Sequence, residues 1–294
     1  MRDEATALDG LVGVRVLKGH GTGNDFVLVP DPDAALDLSS EQVRALCHRR
    51  FGLGGDGVLR VVPTASSPEV ADQAASAAWF MDYRNADGST SEMCGNGARV
   101  FARYLVEFGL ESSDEFAIAT RGGTCAVRVE SDGDITIGMG TATTPMLRAM
   151  PVVSVGAQQW NGSGVIVPNP HCVVFLDDDE RLADLDLTTP PTVVPPAVFP
   201  DGVNVEFVVR EGAADDRRVR MRVHERGVGE TLSCGTGAVA VMVAAAARDG
   251  APVKTAYTVD VPGGTVVVTR RDGGELELRG PAVIVAECVL GGVR

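Results

Sequence analysis

A chain of 294 residues that is 45% hydrophobic and holds 35 glycines can bury a full core and is long enough for two domains of ordinary size. Its formal charge of −14, without any basic run or basic amphipathic stretch, argues against nucleic acid or an anionic membrane surface as a partner and leaves a small zwitterionic ligand open. The longest apolar run, AVAVMVAAAA (238–247), is too short to span a bilayer, so no membrane partner is expected.

The chain starts MRDEATALDGLVGVRV, with acidic residues where a secretory leader needs positive charge and an unbroken apolar core. No targeting segment is expected, and residues 1–10 should fray. Cys47, Cys94, Cys125, Cys172, Cys234 and Cys288 show no close pairing, so a disulfide framework is not expected and the compartment reads as a reducing cytoplasm.

Strand patterns follow at VGVRVL (12–17), DFVLV (25–29) and VLRVV (58–62), separated by Gly, Asp and Asn turns. Between them SEQVRALCHRR (40–50) predicts a helix, opened by a Ser cap and an acid and closed by basic residues. From Cys94 onward, Val100, Phe101, Tyr104, Leu105 and Phe108 recur at helical spacing until Gly109 ends the pattern. More strands are predicted at 115–120, 124–129 and 135–139. The acidic run DDDE (177–180) reads as a solvated loop leading into a helix start. TTPPTVVPPAVFPDG (188–202) reads as a connection, because strand patterning resumes at VNVEFVV. After Cys234 comes a second helix, apolar almost all round and ending near Gly250, which must be wrapped by other elements.

An internal repeat organises these elements. MDYRNADGSTSEMCGNGA (81–98) overlays MRVHERGVGETLSCGTGA (221–238) without a gap, matching Met81/Met221, Cys94/Cys234, Gly95/Gly235, Gly97/Gly237 and Ala98/Ala238. Downstream, RGGTCAVRVESDGDITIGMG (121–140) parallels PGGTVVVTRRDGGELELRG (262–280), each a Gly-Gly turn, a strand, a Gly-containing turn and a strand. The expected architecture is therefore α+β in two pseudo-symmetric halves, each a mostly antiparallel sheet or barrel around a central helix. Residues 13–138 carry Cys94, with a C-terminal strand within 281–294 returning to them, and 139–280 carry Cys234.

A cysteine just ahead of a helix sits where unpaired N–H groups and the helix dipole favour negative charge, which lowers a thiol pKa from ~8.5 toward roughly 3.5–7.5. The N–H groups of Gly95, Asn96, Gly235 and Thr236 suit a carboxylate. Two such half-sites acting on one carbon would let a thiolate remove an α-proton on one face while a thiol delivers another on the opposite face, inverting the stereocentre. The usual cofactor route to amino-acid racemisation is a pyridoxal Schiff base on lysine. Only Lys18 and Lys254 are present, neither in a phosphate-binding context, and no P-loop or dinucleotide fingerprint occurs, so no cofactor is expected. The absence of Cys-X-X-Cys and of a Cys/His cluster at ligand spacing argues against a thiol redox or metal-binding protein, and no metal is expected.

HGTGNDF, NADGS, MCGNGAR, NPHCV, GVNVEF, ERGVGET and CGTGA, in this order, resemble the signature set of diaminopimelate epimerases, which are cofactor-independent two-cysteine isomerases. The resemblance runs from about residue 13 to the end. It implies interconversion of LL- and meso-2,6-diaminoheptanedioate for lysine and cell-wall synthesis, two similar halves with the active site in the cleft between them, and a homodimer. It further implies that Cys94 and Cys234 are the acid/base pair and that Gly95, Asn96, Gly235 and Thr236 hold the reacting carboxylate. Asn24, Asn85, Asn169, Asn204, Glu225 and Arg226 would bind the rest of the substrate, with Arg226 suited to the distal carboxylate. His171 and Glu225 resemble residues that tune the thiols. Where some members carry a Gln after the Asp of the FGxGxDx segment, this chain has Gly57, and that contact is lost or replaced by backbone or water.

Blander readings stand beside these. His171 could be a turn histidine after Pro170, Asn85 and Asn204 could be turn residues, and GHGTGND could be a hairpin turn. Cys47, Cys125, Cys172 and Cys288 read as packing residues. The competing function is racemisation of another amino acid, of histidine or proline type, on the same scaffold; Arg226 and the asparagines argue against a proline-type substrate, which has no distal aminocarboxylate.

Overall fold

Short alternating runs separated by tight turns put far more of the described residues into strands than into helices. The computed structural model describes residues 7–145, 149–177, 179–212 and 216–291. Two compact units emerge: one runs to Ile137 and takes back the segment from Pro281, and the other is Gly138–Gly280.

The first unit holds β1 (Arg15–Gly21), β2 (Asn24–Pro30), α1 (Ser40–Cys47), β3 (Gly57–Pro63), β4 (Trp79–Asn85), α2 (Gly95–Glu107), β5 (Glu115–Ile118), β6 (Cys125–Val129) and β7 (Ile135–Gly138). The second holds β8 (Val152–Val155), β9 (Gln158–Val167), β10 (Asn169–Phe175), α3 (Asp179–Asp184), β11 (Thr192–Val194), β12 (Asn204–Glu211), β13 (Arg218–Glu225), β14 (Gly229–Thr231), α4 (Gly235–Arg248), β15 (Thr255–Val261), β16 (Gly264–Arg270) and β17 (Leu276–Gly280). Strand β18 (Val283–Val289) lies antiparallel to β1, and Leu290 after it packs into the cluster formed by Leu11, Val16, Val27, Val43 and Leu46.

The pairing order is the same in both units. In the first, β1 and β2 are antiparallel, β2 and β3 parallel, β3 and β4 antiparallel. In the second, β9 and β10, β10 and β12, and β12 and β13 repeat that sequence. A parallel contact then joins β4 to the strand around Ala119, as β13 pairs in parallel with β15, and two antiparallel hairpins follow in each.

Each unit's main helix is started and stopped by the same devices. Cys94 and Cys234 occupy the N-cap positions in extended conformation, and their sulfurs accept from the N–H of Gly97 and Gly237, each at 3.4 Å. At the other end Gly109 (φ +69°) and Gly250 (φ +58°) take the left-handed conformation, and Leu110 and Ala251 donate back to Leu105 and Ala246. Helix α2 buries Val100, Phe101, Tyr104 and Leu105 against β1 to β4 and β18; Phe108 falls just past its last turn. Helix α4, apolar almost all round, is packed by β9, β10, β12, β13, β15, β16 and β17, which is the wrapping its composition requires.

Element ends differ from the sequence pattern for local reasons. The first strand begins at Arg15 rather than 12 because Gly13 (φ +86°) turns the chain. Helix α1 stops at Cys47 because His48 is extended and its Nδ1 accepts from the N–H groups of Arg50 and Phe51; its cap is Ser39, in a reciprocal box with Gln42, not Ser40. Strand β5 ends early because Thr120 closes a turn with Gly123. The Pro-rich stretch contains β11 and a 3-10 turn at Pro196–Val198. Of the segment expected to fray, residues 1–6 lie outside the described residues, and Asp9–Leu11 form a 3-10 turn with Leu11 buried. Residue 178 and residues 292–294 of two other predicted elements also lie outside them. Cys47, Cys125 and Cys172 are buried, but Cys288 is exposed because β18 is the last strand of its sheet. Among the described residues no helix is long and apolar enough to cross a membrane.

One buried charge cluster fixes the strand that leads to Asn85. Asp82, 1% exposed on β4, is contacted by Arg121 (2.7 Å), Arg84 (3.2 Å) and Arg60 (3.5 Å). Burial alone would raise the Asp82 pKa, but its hydrogen bonds to Arg84 and Arg121 outweigh that and hold it below the ordinary carboxylate value. A depressed folded-state pKa stabilises above the unfolded value, about 3.9, and that stabilisation disappears as pH falls through the folded value. Asp82→Asn leaves three arginines undercompensated and should cost about 3–5 kcal/mol at pH 7. Urea unfolding at pH 7 and pH 3 checks this: the gap between wild type and variant should shrink at the lower pH.

Candidate active site

Two half-sites can be described, one in each unit, each built around a cysteine at a helix N-cap. In the first, Cys94 is partly buried and its thiol lies 3.8 Å from Asn24 Oδ1. Asn24 opens β2 directly after a two-residue turn in which Thr22 (φ +50°) and Gly23 (φ +82°) both adopt positive φ, the geometry of a type I′ hairpin. GHGTGND is thus a hairpin turn that also brings Asn24 to Cys94. Asn24 Oδ1 also accepts from Asn96 Nδ2 (3.2 Å), and Asn24 Nδ2 donates to Asp56 Oδ2 (2.6 Å). Asn85 ends β4, where its Oδ1 accepts from the Tyr83 hydroxyl (2.8 Å) and its Nδ2 donates to Ser89 Oγ (3.0 Å).

Gly57 begins β3 under close cover. A Cβ there would lie 2.5 Å from the Arg84 carbonyl oxygen and 2.7 Å from Tyr83 Cε2, so the Tyr83 ring occupies space a side chain at 57 would need.

In the second half-site Cys234 is buried, and its sulfur lies 3.5 Å from Thr236 Oγ1. His171 is not a turn residue: it lies within β10 and is wholly buried. Its Nδ1 is 2.6 Å from Glu206 Oε1, within hydrogen-bonding distance. Nε2 lies 3.0 Å from Asn169 Oδ1. Asn204 opens β12 in register with His171, and its Oδ1 accepts from the backbone N–H of Arg226 (2.8 Å). Glu225 ends β13 with its Oε1 taking the Thr231 hydroxyl, while Arg226 is exposed and donates through Nη1 to the Asp201 carbonyl (2.6 Å).

The electrostatics of this second half-site are set by burial. Desolvation, then the nearby Glu225 and Glu206 carboxylates, push the Cys234 thiol well above the ordinary range, against weaker help from Thr236 and the Gly237 N–H. Burial also raises Glu225, opposed by its hydrogen bonds to Thr231 and Cys234. Cys234 is therefore a proton-holding thiol at neutral pH, and its place at a helix start does not by itself make it a thiolate.

Two buried charged residues were not identified as site residues from sequence. Glu206 has no exposure, its Oε2 has no hydrogen-bond partner, and its Oε1 would lie 2.9 Å from a Cβ added at Gly237, so it sits directly under the Cys234 loop. Arg99, also unexposed, lies in the first half-site one turn along α2. The available signal was an acid inside the apolar strand VNVEFVV and a base inside a helix whose neighbours Ala98 and Val100 are core residues.

The sequence matches the family described as Diaminopimelate epimerase over residues 16–145 and 165–285. It is 56% identical over 279 residues to the diaminopimelate epimerase of Streptomyces coelicolor, covering 93% of this chain and 94% of that one. It is 48% identical over 285 residues to the enzyme of that name from Rhodococcus jostii, covering 93% and 96%. In fold it resembles a PhzF-family phenazine biosynthesis protein of Bacillus anthracis (TM-score 0.66, 18% identity, 94% and 98% coverage) and a hydroxyproline epimerase of Agrobacterium vitis (TM-score 0.62, 16% identity, 94% and 91% coverage). With a family match over most of its length and close relatives spanning nearly all of it, the chain belongs to the diaminopimelate epimerase family.

Proposed function

We propose that this protein interconverts LL- and meso-2,6-diaminoheptanedioate by moving a proton on and off the α-carbon with two cysteine sulfurs and no cofactor, in lysine and peptidoglycan precursor synthesis. The observation that carries this reading is the duplicated helix N-cap cysteine, Cys94 and Cys234, in a chain 48–56% identical to diaminopimelate epimerases.

The first N–H groups of a helix have no intrahelical carbonyl, so those of Gly95, Asn96, Gly235 and Thr236 suit the carboxylate on the reacting carbon and the charge that grows on it as a carbanion forms. In one direction the Cys94 thiolate takes the α-proton and the Cys234 thiol delivers its own to the opposite face; in the reverse direction the roles exchange. The elevated Cys234 pKa supports the thiol as its resting form. Asn24, Asn85, Asn169 and Asn204 offer amide donors and acceptors to the ammonium and carboxylate groups, Arg226 a bidentate partner for the distal carboxylate, and Glu225 a partner for an ammonium group. His171, held by Glu206, and Glu225 tune Cys234. The division into residues 13–138 with the returning C-terminal strand and 139–280 follows the same reading, one half-site in each.

Incubation with LL-diaminopimelate in deuterated water, without added cofactor, should give meso product carrying deuterium at one α-carbon, while proline and histidine in parallel stay protiated. Cys94→Ala and Cys234→Ala should each lose epimerisation by at least a thousandfold while still folding, at a stability cost of about 1 kcal/mol for the lost helix cap; full activity in either variant would remove the two-base account. Gly237→Ala crowds Glu206 Oε1 and should lower kcat/KM about tenfold or more, equivalent to ~1.4 kcal/mol of transition-state stabilisation; steady-state kinetics of a folded variant decides it.

The expected compartment is the cytoplasm and the expected assembly a homodimer. Strand β18 supports the second expectation, since the edge strand exposes Val283, Val285 and Val289, and an apolar sheet edge seeks a partner. Light scattering on the purified protein should give twice the chain mass, and Val285→Lys should shift it toward the monomer.

A further inference from the structure

Arg99 is the largest fully buried side chain among the described residues, and the proposed chemistry leaves it without a role. Its guanidinium meets only neutral oxygens in the hydrogen bonds it makes: Nη2 donates to Thr22 Oγ1 (3.1 Å) and Asn96 Oδ1 (2.9 Å), and Nε to the Pro281 carbonyl (3.3 Å). Nη1 has no hydrogen-bond partner. A guanidinium taken wholly out of water, with no carboxylate among its hydrogen-bond partners, is costly to keep charged, and that cost falls if an anion forms nearby.

Its partners are the parts that build the Cys94 half-site. Thr22 is a β-branched residue at φ +50°, a conformation such residues avoid, in the turn that aims Asn24. Asn96 receives Arg99 at its Oδ1 and passes its own Nδ2–H to Asn24 Oδ1, the oxygen that lies 3.8 Å from the Cys94 sulfur.

The other charges around this half-site largely cancel. Lys18 on β1 and Arg49 after α1 pair with Asp25 on β2 and with Asp56 before β3: Lys18 with Asp25 at 2.5 Å, Arg49 with Asp25 at 2.8 Å and with Asp56 at 2.6 Å. That group has two cations and two anions. Arg103 adds a cation one turn further along α2, where it donates to the Gly133 and Ala282 carbonyls, and Asp134 lies in the β6–β7 turn. In the second unit the residue equivalent to Arg99 is Val239, and the position equivalent to Leu59 under the first loop is Glu206. The buried ionisable side chain is thus an arginine behind Cys94, and behind Cys234 a glutamic acid paired with His171.

We propose that Arg99 is a positioning residue that holds Cys94 as the resting thiolate, acting through its buried charge together with the Gly97 N–H that donates to the sulfur, against the contact the protonated thiol gives Asn24 Oδ1. The proposal rests on the epimerase reading, in which one sulfur must start without its proton. Ionising Cys94 releases its proton to water and leaves a sulfur anion that offsets the buried guanidinium. Burial lowers the Arg99 pKa to about 10, opposed by the neighbouring Cys94 and Asp134 charges, so at neutral pH Arg99 stays charged.

The test reads each thiol directly and needs no catalysis. Iodoacetamide alkylation of the full-length protein is followed from pH 5 to pH 10 with mass mapping of the Cys94 and Cys234 peptides. Wild-type Cys94 should react with a midpoint below the ordinary thiol value of about 8.5, and Cys234 above it. Arg99→Gln should raise the Cys94 midpoint by one unit or more, a tenfold loss of thiolate at neutral pH, Arg99→Lys should restore most of the shift, and Cys234 should not move. A wild-type Cys94 midpoint at or above 8.5 overturns the proposal, as does a folded Arg99→Gln variant with the wild-type profile, or equal shifts in the Gln and Lys variants. If Arg99→Gln does not fold, the wild-type midpoint and the Lys variant decide. Failure of the epimerase reading would show separately, as absent deuterium incorporation by wild type.

Discussion

A sulfur accepting the N–H of the third residue of a helix is the contact on which each half of this protein turns. At Cys94 and at Cys234 it caps the helix and fixes the side chain over the helix start. Everything else in each unit serves to hold that turn still. The helix body is locked by its apolar face and its glycine stop, and in the first unit β2 brings Asn24 from its N-terminal end to the cap.

Duplication supplies two such caps, but their surroundings differ. The strand pairings repeat position for position, so Phe26 and Leu59 of the first unit correspond to His171 and Glu206 of the second. An apolar pair under one loop has become a buried hydrogen-bonded ionisable pair under the other. On the helix itself the asymmetry runs the other way, with Arg99 where the second unit has Val239. These substitutions leave the strand register alike and surround the two caps with different side chains.

Much of this was legible in the linear chain. The gapless overlay of 81–98 on 221–238 exposed both caps because the loop glycines and the cysteine are fixed by local backbone geometry, and the alternation of strands with Gly and Asp turns outlined the sheets. Less legible were the strand ends, which shifted at Gly13, His48 and Thr120 through local turns. The environment of Cys234 was also hidden. A helix start argues for a lowered thiol pKa, yet burial and two carboxylates reverse the direction. Glu206 could not be placed from sequence because its meeting with His171 depends on the parallel register of β10 and β12, which brings together residues far apart in the chain.

Short-range order was therefore the sequence's to determine: where helices start and stop, which residues form tight turns, that the chain is a duplicated unit, and which family it resembles. These depend on contacts within a few residues or on direct comparison of segments. Tertiary structure alone decided which charged groups lose their water. That depends on the packing of distant strands around each helix, and it is why Arg99 and Glu206, unremarkable letters in two motifs, become the buried charges of the two half-sites.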